Sequence, residues 1–220
     1  MPMGPMALVL VLILTYFGFL DRTLIRMGLT VRQALVALLL MLLGSRFTFA
    51  LAPGLLLNVG TGLVPGAAAV YLLLTAGPAQ SSIRTLGAAL ATAGAVYLVG
   101  IWFPPGQPTE LNFFYVDAQH IFAAMAAVVG YAAGGTRRSA FAAAVLGTML
   151  ADVAHHAVQR WEGLPPVPIQ VGGGGFWGTG VVAGFLALAL ADLLGEFGEP
   201  ERARLTEAEL RPGGGGQPRP

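Results

Sequence analysis

The sequence predicts an all-α fold, a polytopic transmembrane bundle of about seven helices, and three observations carry that prediction. Of 220 residues, 55% are hydrophobic and 10% charged, whereas a soluble domain is about a quarter charged. The apolar residues form runs of about 20, the helix length that crosses a hydrocarbon core of about 30 Å. The 12 basic residues, all Arg, sit almost entirely in alternate spacers and in a C-terminal tail. A mean hydropathy of +0.72 excludes a soluble enzyme, a nucleic-acid binder and a disordered regulator. Cysteine is absent, which removes disulfides, thiolate metal sites and a cysteine nucleophile.

The first run, residues 3–20, is free of charge up to Asp21 and Arg22. It has no basic leader and no small-residue cleavage site, so it reads as a retained helix and not a signal peptide. The second begins near Gln33 and covers 34–43; at Gly44, Ser45 and Arg46 it either stops or continues to Ala52, which leaves six spans as an alternative count. The turn signal Pro53-Gly54 precedes the third, 55–76, which holds Asn58 and Pro65 and is expected to kink near the proline. Residues 86–103 form the fourth, closed by Pro104-Pro105, and 115–134, 139–159 and 175–194 form the fifth to seventh. Small-xxx-small pairs at Gly62/Gly66, Gly130/Gly134 and Gly180/Gly184 predict close helix packing. Residues 1–194 are thus the membrane domain. The segment 195–220 is a charged, largely disordered tail with a capping-box signature at Thr206 and Glu209.

Arg22, Arg26, Arg32, Arg84, Arg137, Arg138, Arg202, Arg204, Arg211 and Arg219 fall on one side of this topology, and only Arg46 and Arg160 on the other. The positive-inside rule then puts the N-terminus outside and the tail in the cytoplasm of a bacterial or archaeal cell membrane. Depth follows from the 1.5 Å rise per residue. Asp117 and His120 enter span five from outside, and Asp152, His155 and His156 come 13 to 17 residues after Ser139 in span six. Asn58, Arg46, Arg160 and the glycines 172–175 belong to the same outer layer.

In that layer each histidine has an aspartate one turn before it: Asp117 with His120, Asp152 with His155 and His156. Carboxylate and imidazole together suit a divalent metal such as Zn, Mn or Fe, or a proton relay in which Asp fixes the histidine tautomer. Asp117 and Asp152 are also the candidate catalytic pair. The plain readings are equally concrete. Asp117 is a natural N-cap, the histidines lie near a membrane exit, Asp152 can pair with Arg46 or Arg160, and Asn58 can tie helices together. The glycine run lacks the Lys-Ser/Thr of a phosphate loop; Gly173 and Gly174 are instead candidates for backbone contact with a ligand.

Four segments, Leu57-Asn58-Val59-Gly60 through Pro65, Val116-Asp117-Ala118-Gln119-His120-Ile121-Phe122, Gly147-Thr148-Met149-Leu150-Ala151-Asp152 and Gly172 to Gly184, carry a family likeness. Together they resemble a family of bacterial and archaeal multi-pass membrane proteins, domain of unknown function 1614, over roughly residues 45–190. The resemblance implies a membrane core and no activity. It also implies an acidic residue near Trp177, which this chain lacks.

The leading expectation is a membrane protein with an outward-facing Asp/His site for transport or binding of a small solute, metal ion or proton-coupled ligand. An intramembrane hydrolase, aspartyl or metal-dependent, is the second. The third is a non-catalytic scaffold whose tail binds a cytoplasmic protein. No Gly-x-Ser-x-Gly or His-Glu-x-x-His motif is present.

Overall fold

The computed structural model describes residues 3–18, 21–75, 79–102, 118–163, 167–172 and 178–195. In chain order the elements are α1 (Met3–Tyr16), α2 (Asp21–Met27), α3 (Val31–Gly44), strands β1 (Thr48–Ala52) and β2 (Leu55–Asn58), a π turn (Val59–Leu63), and α4 (Val64–Leu74). They continue with α5 (Ala79–Trp102), α6 (Ala118–Gly134), α7 (Arg137–Trp161), β3 (Ile169–Val171) and α8 (Thr179–Leu194). Each of the seven apolar runs therefore contains a helix, and α2 is an extra short one in the first spacer.

Local chemistry sets the boundaries. Thr30 and Gln33 form a reciprocal capping box at the start of α3. Gly135, at φ +75°, ends α6, and the Thr136 hydroxyl then accepts from the Ser139 amide to start α7.

Helix α7 lies at the centre, packed against α4, α5, α6 and α8. Its surface is made of small residues: Ala140, Ala142, Ala143, Ala144 and Ala151 are fully buried. The facing helices supply small residues as well. A Cβ on Gly130 would come within 3.0 Å of the Ala144 amide, and one on Gly134 within 2.8 Å of the Ala140 amide. Gly184 opens space for Phe141 and Val145 of α7 in the same way, so the small-residue spacing marks real helix interfaces. Between α5 and α7 the Thr85 and Ser139 hydroxyls meet at 2.7 Å; Thr85 already donates to the Ser81 carbonyl, so Ser139 donates to Thr85.

The outside is apolar. On α5 the outward residues are Ile83, Leu86, Leu90, Leu98 and Ile101, whereas the inward ones are Thr85, Ala88, Ala89, Thr92, Val96 and Gly100. Large side chains outward and small or hydroxylated ones inward invert the pattern of a water-soluble bundle and point to a membrane environment. Among the described residues two helices, α5 with 24 residues and α7 with 25, are long and apolar enough to cross a membrane.

The all-α expectation needs correction. Strands β1 and β2 form an antiparallel hairpin turned at Pro53-Gly54, and β3 adds in parallel to β2, giving the order β1-β2-β3. Residues 44–52 thus neither prolong the second span nor loop freely. The third span does not begin as helix at Leu55 either. It enters as a strand, passes through the π turn, and becomes α-helical at Val64. Pro65 sits in the first turn of α4, where a missing amide hydrogen costs nothing, so it starts a helix where a kink was expected.

One end of the bundle is fastened by arginines. Buried Arg137 pairs with Asp192 of α8, whose other carboxylate oxygen accepts from Thr23 of α2 at 3.0 Å. Arg84 Nε reaches the Ala133 carbonyl at 3.3 Å, and Arg138 reaches Thr75 Oγ1 at 2.6 Å. At the other end Gly60 is pressed against the Met41 carbonyl and the Ser45 amide, so a side chain there would have to displace backbone.

Asp192→Ala takes the carboxylate from a buried guanidinium; because Asp192 is itself over a third exposed, the expected loss is about 2 kcal/mol, read as a lower melting temperature in detergent. Gly60→Ala is expected to abolish monodisperse folded protein in size-exclusion chromatography, while Gly87→Ala on α5, with nothing within 4 Å, leaves the elution unchanged.

Candidate functional site

The sheet end of the bundle is where polar side chains converge, and the cause is the backbone of the third segment. A chain that switches from strand to π turn to α-helix leaves amides and carbonyls outside any regular ladder, and these need side-chain partners. Asn58 provides them. Its Oδ1 accepts from the Thr61 amide at 3.0 Å and faces Thr61 Oγ1 at 2.9 Å, while its Nδ2 donates to the Ser45 carbonyl at 2.9 Å and Thr48 Oγ1 at 3.3 Å. One buried amide thus ties the end of α3, the hairpin and the π turn.

Strand β3 brings in the fourth piece. Its register, Leu55 to Ile169, Leu56 to Gln170 and Leu57 to Val171, carries Gly172 alongside the π turn. There the Thr61 hydroxyl lies within donating distance of the Gly172 carbonyl. Gly172 has φ +71° and backs directly onto Gly62, an approach that no side chain on either residue would permit.

Between these segments, α7 and the start of α8 lies a cavity of about 170 Å³. Its polar wall is Thr61, Gln119, Thr148, Asp152, Gln170 and Thr179, with Val145 and Met149 as the apolar part. On α7, Val145, Thr148, Met149 and Asp152 follow one another at three- and four-residue steps, which is why they share a face. Gly180 leaves room beside Thr148: a Cβ there would stand 3.0 Å from Thr148 Oγ1. An engineered cavity of about 150 Å³ holds benzene, so the volume suits a molecule of roughly that size.

Of the sequence candidates, Asp152 lines this cavity and Asn58 builds its wall. The histidines do not join them. His155 turns toward α5, stacks on Tyr97 at 4.5 Å between ring centroids, and bonds through Nδ1 to the Ala151 carbonyl at 3.0 Å. Its ring fills the space left by Gly100, where a Cβ would lie 2.6 Å from Nε2. His156 is buried with neither ring nitrogen hydrogen-bonded. His120 is exposed on the first turn of α6, where its neighbour Gln119 is the residue that reaches the cavity.

The structure thus gives His155 partners other than Asp152, while the Asp117 half of the Asp117–His120 pair lies outside the described residues. A spacing of three or four residues puts side chains near one another on a helix, but here Ala151 and Tyr97 hold the His155 ring away from Asp152. Among the described residues no three His, Asp or Glu side chains gather around a point, so the metal-ligand reading of His120, His155, His156 and Asp152 gains no geometric support. Asp117, Gly173 and Gly174 lie outside the described residues, as does the tail with its expected cytoplasmic partner.

Sequence reasoning missed Thr61, Thr148, Thr179, Gln119 and Gln170. Thr148 was accessible from the four-residue step to Asp152, and Thr61 from its three-residue step after Asn58. Gln170 reaches the cavity only through strand pairing. Asp192, inside the seventh apolar run, was likewise passed over.

Comparison of this chain with protein-family models, with curated proteins and with solved structures finds no match. The cavity must therefore be argued from its own chemistry.

Asn58→Ala removes three hydrogen bonds and the contact to the Thr61 hydroxyl at one buried point and is expected to cost about 3 kcal/mol, measured as a fall in thermal midpoint, with Thr48→Ala costing well under half as much.

Proposed function

We propose that this protein is a multi-pass cell-membrane protein that binds, and in the fullest reading transports, a small polar solute in the cavity at Asp152. The observation that carries the proposal is the meeting of Thr61, Thr148, Asp152, Gln170 and Thr179, contributed by four separate stretches of chain, around one cavity. An ionisable group on a bundle-facing helix surface is expensive in a membrane and is kept where it does something. Irregular backbone at membrane depth is tolerated where it lines such a cavity, and the π turn of the third segment does so through Thr61.

In this reading seven segments span, the N-terminus is outside, and the arginine-fastened end with the tail faces the cytoplasm. The sheet and the cavity then open toward the extracytoplasmic side. The motif resemblance to domain of unknown function 1614 belongs to the same proposal and adds no activity to it. Hydrolysis by paired carboxylates would need a second acid at the cavity, and among the described lining residues Asp152 is the only one.

The chain has no cysteine, so single cysteines can be placed without background. With a membrane-impermeant thiol reagent applied to intact cells, Arg46→Cys and Thr179→Cys are expected to react and Arg32→Cys to react only after lysis. Labelling of Arg32→Cys from outside would overturn the orientation. Failure of Thr179→Cys to react from outside, beside a reactive Arg46→Cys, would overturn outward access to the cavity.

A further inference from the structure

We infer that the solute is a small organic cation rich in N–H donors, a protonated amine or guanidine; this rests on the solute-site reading above and specifies its ligand. A hydroxyl has one proton to give, and two of the cavity's three threonines, Thr61 and Thr148, have already committed theirs. Thr148 Oγ1 donates to the Val145 carbonyl at 2.8 Å. The Thr61 proton goes to Asn58 Oδ1 or to the Gly172 carbonyl, both of which are acceptors only. Gln170 directs one Nε2 hydrogen toward Thr48 Oγ1 at 3.5 Å and keeps its Oε1 as an acceptor beside a second N–H. Thr61 and Thr148 thus have only lone pairs left, Gln170 offers an amide oxygen, and Asp152 adds a carboxylate.

None of the described residues lining the cavity is Arg or His. Helix α8 begins at its wall and brings roughly half a unit of positive charge, which the full unit on an ionised Asp152 outweighs. With Asp152 ionised the wall is net negative, and Asp152, Thr61 and Thr148 present acceptors to the cavity, so its complement is a positive group with several donors. A bare metal ion is a poor fit, because the space of about 170 Å³ takes several heavy atoms and part of its lining, Val145 and Met149, is apolar. An ammonium or guanidinium head on a short carbon stem uses both parts of the lining.

The test is equilibrium binding of methylguanidinium to the full chain in lipid nanodiscs, with N-methylurea as the neutral isostere and radioactive sodium ion as the metal control. Methylguanidinium is expected to bind, with N-methylurea at least tenfold weaker. Asp152→Asn should weaken methylguanidinium at least thirtyfold, and Thr148→Val about tenfold with Thr148→Ser near wild type, in each case with unchanged elution of the protein. Equal binding of N-methylurea, or indifference to Asp152→Asn, would overturn the cation while leaving a polar-solute site in place. Binding of sodium ion with methylguanidinium inert would overturn the organic ligand. If neither organic probe binds up to about 10 mM the inference fails, and the cysteine labelling at Thr179 then decides separately whether the cavity itself is open.

Discussion

The structure depends on how closely backbones can approach α7. In a hydrocarbon solvent there is no hydrophobic drive to bring helices together, because lipid tails satisfy a leucine as well as another leucine does. Association then comes from van der Waals contact and hydrogen bonds, and both need short distances. Ala140, Ala142, Ala143, Ala144, Gly147 and Ala151 keep much of the buried surface of α7 low, and glycines opposite make room for its larger side chains, Gly184 for Phe141 and Gly66 for Met149. Gly130 and Gly134 on α6, and Gly184 on α8, do the same from the other side of the contact. Large side chains are displaced outward, which is why α5 shows Ile83, Leu90 and Ile101 to its surroundings and buries Thr85, Ala89 and Thr92.

Close packing leaves little room for polar groups, so each one that is buried has a specific arrangement. At one end Arg137, Asp192 and Thr23 join three helices in a partly open ion pair. At the other, the break in the third segment is made affordable by Asn58, which supplies acceptors and donors where the helical ladder has not yet begun. The same break makes the cavity. An α-helix continued from Asn58 into α4 would have no π turn to place Thr61 against Gly172, and β3 would have no strand with which to pair. The polar site and the irregular backbone are two results of one local departure from helix.

His155 and His156 show that spacing along a helix does not fix a side chain's partners. Asp152, His155 and His156 stand at three and four residues, yet tertiary packing assigns them different surroundings: the cavity for Asp152, the Tyr97 ring and the Gly100 gap for His155, and the interior for His156. The residues that do join Asp152 are threonines and glutamines, which carry no signal in a search for metal ligands or acid-base pairs. Their chemistry becomes readable only when the direction of each hydroxyl proton is known.

Much was legible in the sequence because it follows from solvent and period. The apolar runs marked seven helices, arginine placement grouped the residues that fasten one end, and Gly130/Gly134 and Gly180/Gly184 marked interfaces. Asp152 and Gly172, which counting along the spans put at one level with Asn58, line one cavity, and Asn58 joins them through Thr61. The sequence by itself therefore determined the helical architecture, which depends on hydrophobicity and a fixed rise per residue, and singled out Asp152. Only the tertiary structure decided that 48–58 pairs as a hairpin with 169–171, that Pro65 opens a helix, and that threonines and not histidines surround Asp152. Those outcomes rest on contacts between segments more than a hundred residues apart and on which neighbour each side chain meets, and neither quantity is contained in a local pattern.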